Sequence, residues 1–96
     1  MIKEESPNYR LLVEECNFLL TGLVLLGKIP IWDAPFEIRR QNPGLYISQF
    51  RYSRSIGDQA GYDQAAALLE QDLRHIPEGD RFRFQEIYER CQEGRV

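Results

Sequence analysis

"LYISQFRYSRSI", residues 45–56, decides how the middle of this 96-residue chain folds. Read with period two, Tyr46, Phe50, Tyr52 and Ile56 share one face, interrupted by Ser48 and Arg54. Read at helical spacing, Leu45, Tyr52 and Ile56 cluster instead. The aromatic content favours the strand. Just upstream, Asn42-Pro43-Gly44 is a turn signal with a mechanism, since proline presets φ and glycine accepts positive φ. With "FEIRRQ" as the facing strand, the segment reads as a β-hairpin over about 36–56. A helix from Leu45 to Ile56 is the competing reading.

The flanking regions read as helices. Ser6 suits an N-cap with Pro7 at the first helical position, and Gly27 and Pro30 stop the same helix, giving a span of about 7–26. Arg10, Glu14, Asn17 and Thr21 form one narrow polar stripe on it, and nearly every other position is apolar. Such a helix is central to the core or is half of an interface. Between Gly27 and the hairpin, "IPIWDAP" reads as extended chain, because each proline disfavours helix in the residue before it. Downstream, Tyr62, Ala66, Leu69, Leu73 and Ile76 mark a helix over about 62–76. After the "PEG" turn, Asp80 suits an N-cap. Phe84, Ile87, Tyr88 and Cys91 then mark a last helix over about 81–92. The expected fold is one α+β domain over 1–96: a long apolar N-terminal helix, a central β-hairpin and two C-terminal helices. An all-α small bundle is the alternative.

The formal net charge of −3 disfavours a general nucleic-acid binder but hides an asymmetry. Residues 39–57 carry four arginines and no acid, whereas residues 58–96 carry nine acids against five arginines. A basic island therefore lies between acidic flanks. Ten of the twelve basic residues are arginine, which favours planar, multi-point contacts. The N-terminal "MIKEES" is acidic rather than basic, unlike a secretory signal. The run "FLLTGLVLL" is short of the ~20 apolar residues that span a bilayer. A cytoplasmic protein without a membrane segment is the expectation.

Catalytic chemistry has few candidates. The one histidine, His75, sits at a helix end, where an imidazolium would interact with the helix dipole. Cys16 and Cys91 fall on apolar helical faces, which quenches thiols rather than activating them. One histidine and two isolated cysteines make no metal spacing, and no glycine-rich loop cradles phosphate. Glu70, Asp72, Glu86, Glu89 and Glu93 read as solvated helix exteriors. No cofactor is implied, and the chain reads as a non-enzyme.

Binding remains. Arginine interleaved with aromatics suits single-stranded nucleic acid, but on a strand Arg51 points away from Phe50 and Tyr52. The first reading is a protein-interaction module, such as a regulatory protein, adaptor, inhibitor or assembly factor. Its contact residues would be Arg39, Arg40, Arg51 and Arg54, with Trp32 and Tyr46 as aromatic anchors, and its partner a protein with an acidic surface. A nucleic-acid-binding regulator using the same island is second, and a small cysteine-based enzyme is third. A homodimer through Leu12, Leu19, Leu23 and Leu26 would cover the apolar helix.

Overall fold

Residues 45–56 are almost wholly helical, and the burial of their side chains says why. Leu45, Tyr46, Gln49, Phe50 and Ser53 are the buried residues of a helix over Gly44–Ser55. Their spacing of i, i+1, i+4, i+5 and i+8 is the set that one helical face collects. Leu45 and Tyr46 are adjacent and both fully buried. A strand with one solvated face would send them to opposite sides. The computed structural model describes residues 18–96, and every regular element in it is helical. The β-hairpin over 36–56, and the α+β class with it, are corrected to an all-α arrangement.

Two local signals enforce this. Asn42-Pro43-Gly44 opens a helix instead of closing a hairpin: the Asn42 side chain accepts the Gly44 N–H at 3.1 Å, and Pro43 already has helical dihedrals. At the other end Gly57 takes φ of +70°, which lets Asp58 N–H reach the Ser53 carbonyl at 2.8 Å. Asp58 then caps the next helix by accepting the Gly61 N–H at 2.9 Å. Three residues, Ile56 to Asp58, separate the end of one helix from the start of the next.

In chain order the elements are α1 (helical over 18–25), a 3₁₀ turn over Ile31–Asp33, α2 (Phe36–Arg39), α3 (Gly44–Ser55), α4 (Gln59–Leu73) and α5 (Glu78–Gln92). The part of the expected first helix before residue 18 lies outside the described residues, as do Leu12 and Cys16. The 3₁₀ turn replaces extended chain at Ile31–Asp33, with Pro30 and Ala34 extended on either side. The last helix starts at Glu78, directly after Pro77, so Asp80 lies inside its first turn and is not its N-cap.

α3 packs against α4 and α5, α4 against α5, and the 3₁₀ turn against α3 and α4. Tyr46 and Phe50 form the aromatic centre. The Tyr46 ring meets Phe84 edge-on at 6.4 Å, and Phe50 lies 4.9 Å from Tyr62. Ile31, Leu45, Leu69, Ile76 and Val24 of α1 complete the fully buried apolar set.

The core also holds a charge. Asp72, expected on a solvated face, is 2% exposed. Its carboxylate accepts two hydrogen bonds from Arg39, Nε to Oδ2 at 2.8 Å and Nη2 to Oδ1 at 2.9 Å. It also accepts the Tyr46 hydroxyl. Arg39 Nη1 donates to the Ala34 carbonyl at 2.6 Å, and the guanidinium lies over the Phe36 ring. Gln49 satisfies a second buried group, accepting the Ile31 N–H at 2.9 Å and donating to Ser53 at 3.0 Å. Among the described residues no buried side-chain polar atom lacks a partner.

Two stability predictions follow from these contacts. Asp72→Ala strands the Arg39 guanidinium in the interior and should cost about 3–5 kcal/mol. Arg40→Ala removes only an exposed pair with Glu37 and should cost under ~1 kcal/mol; equal losses in urea unfolding would contradict the burial of the first pair. Gly61→Ala should destabilise by roughly 1 kcal/mol, although alanine is the better helix former. A Cβ on Gly61 would collide with the Asp58 carboxylate that caps α4 and press on Ser53 Oγ at 3.2 Å. A rise in melting temperature for that variant would show that the cap tolerates the methyl group.

Candidate functional site

The basic island is largely neutralised within the fold. Arg39 is held by Asp72 in the core, and Tyr46 is fully buried beside it. Asp72 on α4 draws both inward, leaving Tyr46 fully buried and the Arg39 side chain largely so. Arg40 lies on Glu37 of its own turn at 2.8 Å, and that hydrogen bond holds the Glu37 carboxyl below its usual range. Arg54 donates to the carbonyls of Val96 at 2.6 Å and Gly94 at 3.2 Å. Arg51 is exposed and has no ion pair among the described residues. Trp32 is half-buried and packed against the core.

What remains conspicuous on the surface is apolar. From Phe18 to Leu26 the chain has no charged residue. Val24 is buried and Leu20 partly so, which orients α1 toward the core. On the opposite side Phe18 is 80% exposed, Leu19 62%, Leu25 48% and Leu26 73%, with Leu23 at the edge at 37%. The helix closes at Gly27, whose φ of +71° lets Lys28 N–H donate to the Leu23 carbonyl at 2.8 Å.

α1 meets α3 at the same end. Ser48 Oγ donates to the Leu25 carbonyl at 3.2 Å, and a Cβ on Gly27 would stand 3.0 Å from the Tyr52 ring. Tyr52 is itself 44% exposed, and Ile56, one turn further along α3, is 56% exposed. Arg51 adjoins Tyr52 in sequence on the same exposed side of α3. The surface is thus a broad apolar helix face, extended by an aromatic ring and edged by the Arg51 guanidinium. An open groove of about 290 Å³ borders it, lined by Phe18, Thr21, Ile38, Gln41 and Asn42.

The titratable groups are arranged for stability. Burial raises the Cys91 thiol above its usual range, partly countered by Tyr62, whose hydroxyl donates to the Cys91 carbonyl at 2.9 Å. His75 is exposed, with its ring edge-on to Phe36 at 6.2 Å. Nothing brings His75 to Cys91, and Cys16 lies outside the described residues. Among the described residues no group of His, Cys, Asp and Glu side chains could hold a metal ion. No helix among them is long and apolar enough to cross a membrane.

Comparison with family models, curated proteins and solved structures returned no match for this chain.

Tyr46 and Tyr62 give the protein a defined alkaline response. Burial, and then the hydrogen bond to Asp72, hold the Tyr46 phenol well above its ordinary value. Burial and the contact with Cys91 push Tyr62 up to about 12. A phenol whose folded pKa is raised stabilises the fold fully below its unfolded value of ~10, and that contribution is lost as pH climbs toward the folded value. The urea midpoint should therefore hold steady up to about pH 9.5 and fall above ~10. Tyr46→Phe should be flatter over that range. A wild-type midpoint that stays level above pH 10 would contradict the buried placement of Tyr46 and the half-buried placement of Tyr62.

Proposed function

We propose that this chain is a non-enzymatic protein-interaction module, of the regulatory, adaptor or assembly kind. It would hold its partner against the outward half of α1 and Tyr52. The observation that carries this is the exposure of Phe18, Leu19, Leu25 and Leu26 on one uncharged helix face. Large apolar side chains clustered on a surface cost free energy in water, and contiguous patches of this kind mark interaction sites.

The composition of the patch supports the reading. Leucine and phenylalanine supply buried area, Tyr52 supplies an amphipathic ring, and Arg51 adds one charge at the rim. Aromatic and arginine residues are the side chains enriched where interfaces concentrate their energy. The pairing of Arg39, Arg40 and Arg54 within the fold leaves Arg51 as the member of the island without an ion pair or hydrogen bond among the described residues. One guanidinium is a thin basis for phosphate binding, which scales with the number of phosphates neutralised. The raised Cys91 thiol and the separate placement of His75 likewise support binding over cysteine chemistry.

The reading is tested by affinity capture at moderate salt with the full chain as bait. Leu19→Asp combined with Leu26→Asp should reduce partner recovery by at least ~30-fold, the equivalent of ~2 kcal/mol at an interface centre. The helical circular dichroism should be preserved, because both side chains point to solvent. Arg51→Glu should weaken capture less. Full recovery by the double variant, or recovery that depends on co-purifying nucleic acid, would rule the surface out.

A further inference from the structure

The interaction reading names a surface but not its occupant, and the order of residues on α1 narrows the choice. Phe18 and Leu19 precede Gly22 by four and three positions, and Leu25 and Leu26 follow it by three and four. At helical spacing these five positions occupy an arc of about 120° centred on Gly22. They are also the outward positions: the four large side chains are the most exposed on α1, and a Cβ at Gly22 would meet nothing within 4 Å. Large residues therefore flank a bare centre symmetrically.

We infer that this face binds a second copy of the same chain, packed antiparallel about a two-fold axis through Gly22. The inference rests on the interaction reading and supplies its partner. An axis perpendicular to α1 exchanges positions equally far before and after Gly22. Phe18 then lies on Leu26 of the other copy, and Leu19 on its Leu25, so each bulky side chain meets another. At the axis the two glycines face each other, and the backbones approach more closely than the 8–10 Å usual for packed helices. An unrelated helix would gain nothing from this symmetry, whereas an isologous contact, which makes each pairing twice, uses it in full.

Charge and area point the same way. A two-fold axis brings each residue near it against its own kind, so a charge close to the axis would repel itself. The face from Phe18 to Leu26 carries none. Its five large side chains together with Tyr52 leave on the order of 600 Å² exposed, approaching the ~800 Å² per partner of a standard stable interface. A bilayer is a poorer occupant. The exposed face of α1 ends beside the polar Ser48 of α3, whose hydroxyl donates to the Leu25 carbonyl.

The test uses the full chain with Cys16→Ala and Cys91→Ala as background, followed by single cysteines under mild oxidation. Gly22→Cys should cross-link to itself. Phe18→Cys and Leu26→Cys should each cross-link poorly alone and readily when mixed. Sedimentation of the unmodified chain at micromolar concentration should give a dimer. Leu19→Asp with Leu26→Asp should weaken that dimer at least ~30-fold.

A wild-type chain that sediments as a monomer overturns the inference. If that monomer still captures another protein through the same leucines, the interaction reading survives and only the second copy is lost. If it captures nothing, both fall. Self-cross-linking by Phe18→Cys without a mixed product overturns the antiparallel axis. A monomer that binds phosphatidylcholine–phosphatidylglycerol vesicles through α1 replaces the second copy with a lipid surface.

Discussion

The carboxylate of Asp72 is the constraint on which the rest of the fold depends. It comes from α4, accepts two N–H donors along one edge of the Arg39 guanidinium from α2, and accepts the hydroxyl of Tyr46 from α3. Arg39 reaches on to the carbonyl of Ala34 and so fixes the chain just before α2. An ion pair removed from water costs several kcal/mol in desolvation, and only near-ideal geometry with every polar atom satisfied offsets it. That geometry exists at one relative placement of three helices. Apolar packing of α3 on α4 would tolerate small slips along the helix axes, but the charged cluster does not.

The cluster also changes what the surface can be. A stretch with four arginines and no acid looks like a basic patch only while its partners are unseen. Asp72, Glu37 and the carbonyls of Gly94 and Val96, all outside the stretch itself, engage three of the four. What remains exposed is the apolar outer half of α1. Charge within the bundle and grease on its exterior reverse the usual distribution. Each half of that reversal has a reason: the charge sets helix register, and the apolar face is available to another surface.

Much of this was legible at the level of helix ends and apolar spacing. Gly27 as a stop, the mostly apolar circumference of α1 and the Phe84–Ile87–Cys91 face all follow from residue type and interval. The middle was misread because aromatic residues favour strands only when a pleated surface takes them. Here Tyr46 and Phe50 stand one turn apart, which suits a helix equally well. Gly57-Asp58 was the overlooked signal, a helix stop followed at once by a helix start, and Asn42-Pro43 was the matching start. Asp72 was illegible for a different reason. A lone acid between Gln71 and Leu73 reads as solvated, and only the fold shows that Arg39, 33 positions earlier, lies within reach. The inward placement of Arg39 and Tyr46 is illegible for the same reason.

The tight junction at Gly57-Asp58 has a consequence for the order in which the chain assembles. Because α3 and α4 are joined by the shortest of turns, their mutual contacts close a small loop, and chains rich in such local contacts fold within microseconds to milliseconds. The bonds from Arg39 to Asp72 span 33 residues and complete only when α2 has also come alongside the paired α3 and α4. The hairpin of α3 and α4 is then the early-forming unit, and the charged cluster acts as a late latch. Interactions made after the transition state slow unfolding without hastening folding. The buried carboxylate thus lengthens the lifetime of the native state more than it speeds its formation.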